Sequence, residues 1–332
     1  MSSALEFELL DLRHFSAGSL RPLLEDESRV WSERLHWDYR GSADLLLQYL
    51  DSRVLPGYVA LENGRVVGYV FCVYEGHKAV VGDVFAIESA EVSSVDVRNE
   101  LLLRLLEMLR STPGVSRIES QLLLHPHGAH RQVFEHQGFE VHERVFMEWP
   151  LQPALSGPAF DASPSDLLDG LELRAWTESD LSGAARLIAI AYQGHLDSHI
   201  NEQYRTAVGS QRFLHNIVRF PGCGYFDASA SWILTHRASR EMVGLLLCSR
   251  VRDDVGHVTQ ICVAPEYRGR GFGRILMRAC ARALAQRRFT LLTLTVTASN
   301  HHAVSLYEWL GFRGTHRFDA MVWDQAQEAR TF

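Results

Sequence analysis

The order of elements in the first half of this 332-residue chain recurs in the second half, and no single motif constrains the fold as strongly. In the second half a short apolar run at 171–175 precedes two amphipathic helical stretches, 177–192 and 198–218. Segments 231–235 and 241–250 read as a hairpin, and 256–263 as a strand that leads into a glycine-rich turn. A helix at 272–287, a strand at 290–297, a short helix at 301–310 and a last strand at 318–323 follow. The first half gives a strand at 6–10, a helical stretch over 18–50 and a hairpin, 58–61 with 65–74, across Asn63-Gly64. A strand at 79–87, a helix at 93–110, a strand at 115–124, a short helix near 128–137 and a strand at 145–149 complete it. The pattern predicts two copies of a mixed α/β unit, 5–150 and 171–326. Each is expected to be a twisted, mostly antiparallel sheet with flanking helices, one strand pair being parallel. Residues 151–170 carry Pro153, Pro158 and Pro164 among Ser, Gly and Asp, the composition of a linker.

Composition narrows the class. Apolar content of 46% and charged content of 22% suit a globular protein with ordinary cores. A net charge of -7 disfavours a nucleic-acid partner. No apolar stretch reaches membrane-spanning length, and the start of the chain has neither a basic segment nor an apolar one of secretory type. Five cysteines (Cys72, Cys223, Cys248, Cys262 and Cys280) show no CxxC spacing, so reduced thiols and a cytoplasmic location are expected. His195 and His199 have i, i+4 ligand spacing but no third ligand, so no metal site is expected.

The chemistry concentrates in Arg268-Gly269-Arg270-Gly271-Phe272-Gly273, between a strand and a helix start. Such a turn leaves main-chain N–H groups unpaired, and the helix start adds partial positive charge, which together suit a diphosphate. Glycine permits positive φ and lets a ligand approach the backbone without meeting a Cβ. Arginines at 274, 278 and 282 repeat every four residues along one helix face. They read as a funnel for phosphate or, more plainly, as a solvated face. In the first half the matching segment, Glu88 to Ser94, has no glycine and two carboxylates, and would repel the same ligand.

The second half resembles the GNAT superfamily of acyl-CoA-dependent N-acetyltransferases. The resemblance rests on the R-x-x-G-x-G type turn with its preceding strand and Pro265. It also rests on Asn300-His301-His302-Ala303-Val304-Ser305-Leu306-Tyr307-Glu308-Trp309-Leu310-Gly311-Phe312 downstream. It covers 171–323 well and the first half only as a degenerate copy, the arrangement of tandem-domain members. The resemblance implies acetyl-CoA as co-substrate and a primary amine of a small molecule as acceptor, with direct transfer in a ternary complex. It assigns Cys262, Val263, Arg268, Gly269, Arg270, Gly271, Phe272, Gly273 and Asn300 to the cofactor, with a main-chain N–H near Val263 on the thioester carbonyl. It makes Tyr307 the acid that protonates the departing sulfur; read without the resemblance, Tyr307 is a core tyrosine. The first half has Phe134 at that position. Several relatives place a glutamate base six residues before the strand-ending valine; here His257 stands there, either as base or as a strand-end histidine facing solvent. The other readings are a peptide or protein N-terminal acetyltransferase and a CoA-binding sensor without turnover. The acceptor's identity and the oligomeric state stay open.

Overall fold

The structure, a computed structural model, describes residues 7–328 apart from 90, 152–169, 220, 221 and 223. The expected linker falls almost wholly outside the described residues, as does Cys223. The described chain divides into two compact units. One takes in the residues up to Leu35, Tyr39–Glu143 and those from Phe318 onward; the other takes in His36–Asp38 and Arg144–Arg317.

The first unit opens with β1 (Glu8–Asp11), α1 (Ala17–Leu35) and α2 (Arg40–Asp51). β2 (Gly57–Glu62), β3 (Arg65–Glu75) and β4 (Lys78–Ala86) follow as antiparallel neighbours, with α3 (Ser94–Ser111), β5 (Arg117–Gln121) and α4 (Arg131–His136) after them. β4 and β5 pair in parallel. Asn63 and Gly64 take φ of 50° and 78°, the paired positive values that a two-residue hairpin turn needs. α3 lays Val97, Leu101, Leu105 and Leu109 on the core, the i, i+4 stripe its sequence spells.

A carboxyl pair is buried in this unit. Glu27 on α1 is fully buried, accepts from the Tyr69 hydroxyl and from Trp31 Nε1 (3.3 Å), and shares a hydrogen bond with Asp83 of β4. Burial raises both carboxyls, Asp83 to about 6 and Glu27 well above its usual range, so the pair holds a proton that the unfolded chain has released. An acid held above its unfolded value contributes most stability below pH 4, and loses it as pH rises through 6. Thermal melts between pH 5 and 8 are therefore expected to fall for the wild type. Glu27→Gln, which removes the titrating carboxyl at nearly constant size, is expected to flatten that fall by several degrees; parallel curves would refute the assignment.

The second unit takes β6 (Glu140–Pro150) from Arg144 onward, then β7 (Leu171–Ala175) and α5 (Leu181–Ala191). α6 (Asp197–Ile200), α7 (Ala207–Arg219), β8 (Tyr225–Phe226), β9 (Trp232–His236), β10 (Met242–Arg252) and β11 (Val255–Val263) follow. α8 (Phe272–Gln286), β12 (Leu291–Thr297), α9 (His301–Leu310) and the start of β13 (Arg313–Asp324) complete it. Its sheet runs β7-β9-β10-β11-β12-β6, antiparallel except for β11 and β12. α8 and α9 cover one face, where Leu246, Val258, Leu292 and Leu294 meet Ile275, Leu276 and Leu284. α5 and α7 cover the other, against Leu245, Leu247 and Cys262. The single helix expected over 198–218 is broken. Asn201 is extended (φ -122°, ψ 106°) and its side chain accepts from Gln203 N–H, a local bond that competes with the helical one.

One expectation is reversed. Segment 145–149, read as closing the first half, pairs with β12 in the second unit, Val145 opposite Val296 and Trp149 opposite Leu292. Segment 318–323, read as closing the second half, pairs with β5 in the first, Met321 opposite Ser120. The linear boundaries 5–150 and 171–326 thus give way to an exchange of closing strands. Val145, Met147 and Trp149 enter the second unit's core, and Met321 and Trp323 the first's.

Candidate active site

β11 ends in a 3-10 turn, Pro265–Tyr267, and the chain then crosses Gly269 (φ +74°) and Gly271 (φ +84°) into α8. A side chain on Gly271 would be strained there and would meet the Arg274 guanidinium at 3.0 Å; beside Gly269 there is open space. The Arg268 amide is used, donating to Pro265 O at 3.2 Å. Among the described residues the amides of Gly269, Arg270, Gly271, Phe272 and Gly273 bond no protein group. They lead into and open a four-turn helix, so unpaired donors and the positive end of the helix dipole coincide. The Arg268 guanidinium donates to the carbonyls of Val263 (3.2 Å) and of Ala191, at the C-terminal end of α5. Arg270 stacks on Tyr267 at 5.5 Å, and Arg274 and Arg278 flank the exposed Trp309 at 4.9 and 5.3 Å.

Beside this turn the sheet opens. The β11–β12 ladder stops at Val258 and Leu294, past which neither strand pairs with the other. Ala264 N–H bonds Val243 O at 2.8 Å, and antiparallel bonded and unbonded pairs alternate. The Val263–Gly244 pair is therefore an unbonded one, and the Val263 N–H and C=O point away from β10, into the gap. The gap follows from a bulge: Leu247 opposes Gln260 and Cys248 opposes Val258, with Thr259 the extra residue that bends β11.

Tyr307 lies on α9 facing inward. Asn300 caps that helix, accepting from Ala303 N–H at 3.2 Å, and Gly311 (φ +109°) ends it. The ring is buried, 5.8 Å from that of Phe312. Burial, and then the Asp197 carboxylate, hold the phenol above its ordinary value, partly opposed by Arg144; Tyr307 is a protonated donor throughout the neutral range. Burial also pushes Cys262 up to about 12, which keeps its thiol protonated and rules it out as a nucleophile near pH 7.

The face of the second unit's sheet opposite α8 is polar around this gap. Thr293, Thr295 and Thr297 share it by the period-two alternation of β12, since Leu292, Leu294 and Val296 enter the α8 core. Thr297 donates to Asp197 Oδ1 at 2.5 Å. Tyr192 on the edge of α5 lies 3.3 Å from both Gln260 Oε1 and Ile261 O. Arg144 of β6, opposite Thr297, reaches Thr295 Oγ1 at 3.4 Å. His195 takes the Asp197 N–H on Nδ1 (3.1 Å) and has Nε2 3.4 Å from Asn300. Among the described residues no three side chains of metal-ligating type gather.

His257 departs from the solvent-facing reading. It is 6% exposed, with its ring 5.0 Å from Trp37 and 6.0 Å from Phe146. Thr293 Oγ1 donates to Gly256 O (3.2 Å), so it accepts from His257 Nδ1–H at 2.8 Å, which fixes the tautomer. Burial, with the Arg144 charge second, takes the imidazole down to about 3. A group that binds protons so weakly has little power to draw one from an ammonium. His257→Gln is expected to keep the pH profile of turnover between pH 6 and 9; loss of an acidic limb in that variant would restore the base role. Asp197 and Arg144 were not visible in the sequence reading. Asp197 stands at a helix break, and Arg144 on a strand whose partner is set by distant residues.

In the first unit the counterpart site is closed by the chain itself. Glu88 Oε2 accepts from Ser94 N–H (3.1 Å) and Ser94 Oγ (2.6 Å), and Ser93 Oγ accepts from Val95 N–H at 3.3 Å. The start of α3 is thus capped by a carboxylate and a hydroxyl of its own. The β4–β5 ladder stops at Val81 and Ser120, and His125 Nε2 is 2.8 Å from Val84 O beyond it. Phe134 matches Tyr307 in place: Phe139 N–H bonds Phe134 O at 3.1 Å, as Phe312 N–H bonds Tyr307 O at 3.0 Å.

Splayed parallel strands, an amide-lined turn and an inward tyrosine thus converge at one end of the second unit's sheet. Residues 198–312, about a third of the chain, match the sequence model of the acetyltransferase (GNAT) family. A GCN5-related N-acetyltransferase from Sphaerobacter thermophilus is similar in fold, with 14% identity and a TM-score of 0.64, over 98% of this chain and 97% of that one. A tandem GNAT protein from the clavulanic acid biosynthesis pathway gives 15% and 0.59 over 96% and 98%. A glucosamine N-acetyltransferase region of a fungal multi-domain β-N-acetylglucosaminidase gives 15% and 0.65 over 97% of this chain and 38% of that one. These likenesses show a tandem GNAT fold over the whole chain. No curated protein matches the sequence at a significant level.

Proposed function

We propose that the second unit transfers acetyl from acetyl-CoA to the primary amine of a small molecule, by direct transfer in a ternary complex. The observation that carries this reading is the run of unpartnered amides at Gly269–Gly273, one turn beyond a strand whose free Val263 N–H faces a gap in the sheet. When bound, acetyl-CoA supplies an activated acyl thioester. The amides of Gly269 to Gly273 would hold its diphosphate, where no Cβ blocks approach at Gly269. Val263 N–H would donate to the thioester carbonyl and stabilise the negative charge that develops there as the amine nitrogen bonds to carbon. Tyr307 would give its proton to the thiolate as the carbon–sulfur bond breaks. Asp197, whose carboxylate acts on Tyr307 through space, would take the proton that the amine loses, in place of His257.

The tandem plan with a worn first copy resembles mycothiol synthase. His257, where that enzyme has glutamate, and its burial speak for a different acceptor. Buried, unpaired Cys72, Cys248, Cys262 and Cys280 support a cytoplasmic setting, and among the described residues no helix is long and apolar enough to cross a membrane. The first unit keeps its scaffold but is self-capped by Glu88, so one coenzyme per chain is expected. Calorimetry with acetyl-CoA and thiol release across a panel of amines test the reading together. Two equivalent sites per chain, or binding without release for any amine, would count against it; release with peptides only would favour the peptide N-terminal alternative.

A further inference from the structure

Resting on the transfer reading above, we infer that the acceptor amine also carries a carboxylate, which Arg144 binds and to which the Gln260 amide offers a second donor. Arg144 is a half-buried cation without an ion-pair partner among the described residues. Its Nε is buried with no hydrogen-bond partner, and its one protein bond, to Thr295 Oγ1, is long at 3.4 Å. A guanidinium Nε–H kept from water without an acceptor is costly, whereas a carboxylate satisfies it and a neighbouring N–H with two parallel charge-assisted bonds. Gln260 tells the same story from β11. It is 5% exposed, its Oε1 faces Tyr192, and its Nε2 is buried with no partner.

Position makes this an acceptor feature. Arg144 stands opposite Thr297 in register, and Thr297 holds Asp197, so a cation and a carboxylate flank the same threonine. Both charges are felt by the Tyr307 hydroxyl, in opposite directions. The other carboxylate on β6's polar side, Glu148, lies 3.7 Å from His36 and forms no pair with Arg144. Among the described residues Asp197 and Arg144 are the anion and cation that act on the Tyr307 hydroxyl, a charge pattern complementary to a zwitterion with ammonium toward Asp197. One guanidinium matches a singly charged carboxylate better than a doubly charged phosphate ester. The second unit is thereby an amino-acid N-acetyltransferase rather than one for polyamines or amino sugars.

The test uses the full-length protein with α-, β- and γ-amino acids and their methyl esters. Thiol release from acetyl-CoA is followed, and binding of the same compounds in the presence of CoA is read by saturation-transfer NMR. At least one free acid is expected to bind and react, with kcat/KM at least tenfold above its ester. Arg144→Gln is expected to lower kcat/KM for the acid about 100-fold, mainly through KM, and for the ester no more than a few-fold. Arg144→Lys should recover part of the loss, and both variants should bind acetyl-CoA as the wild type does. The inference is overturned if esters equal acids, if the preference survives Arg144→Gln, or if none of the acids binds. Arg144-dependent binding of an acid without thiol release would sustain the carboxylate site and sink acetyl transfer; release that ignores Arg144 would do the reverse.

Discussion

Replacing Tyr307 by phenylalanine is expected to lower kcat by about 100-fold or more while leaving the Kd for acetyl-CoA within a factor of two. A positioned general acid contributes roughly that much. The substitution removes one oxygen and leaves the ring in place against Phe312. The first unit shows that the fold accepts it, since Phe134 occupies the matching place fully buried. Stability should therefore change little, and a fall in rate reads as lost chemistry. Pre-steady-state thiol release at several pH values makes the check. The wild type should show no loss of the donor below pH 9, because burial and Asp197 hold the phenol protonated. A variant with wild-type kcat would mean that the thiolate departs unprotonated or takes its proton from water.

Replacing Gly271 by aspartate is expected to weaken acetyl-CoA binding at least 100-fold by calorimetry. Aspartate tolerates positive φ better than most residues, at about 1 kcal/mol. Its carboxylate would sit at the start of α8 and take up the amides itself, as Glu88 does at the start of α3. The start of α8 would become a copy of the capped start of α3. The melting temperature should fall by only a few degrees, because the turn is on the surface. Retained affinity would show that the diphosphate lies elsewhere and would remove the basis of the functional reading.

Local chemistry explains what could be read in the chain. Glycine at 269 and 271, asparagine at 300 and glycine at 311 act through their own backbone angles and neighbouring amides, so turn, cap and stop were visible in order. The alternation of β12 and the arginine stripe of α8 are likewise properties of a few consecutive residues. The closing strands were not legible. Segments 145–149 and 318–323 have similar length and alternation, and either sheet offers an edge to an apolar strand; the choice is made by side chains more than a hundred residues away. The state of His257 was hidden for the same reason. Its imidazole is ordinary until Trp37, Phe146 and Thr293, from three separate segments, enclose it.

The sequence by itself determined two similar mixed units, the amide-lined turn of the second and the loss of that turn in the first, since each depends on residues adjacent in the chain. Only the tertiary structure decided which strand closes which sheet, that His257 is a neutral buried group, and that Asp197 and Arg144 are both neighbours of Thr297. Desolvation and charge pairing are sums over neighbours in space, and the chain order does not list those neighbours.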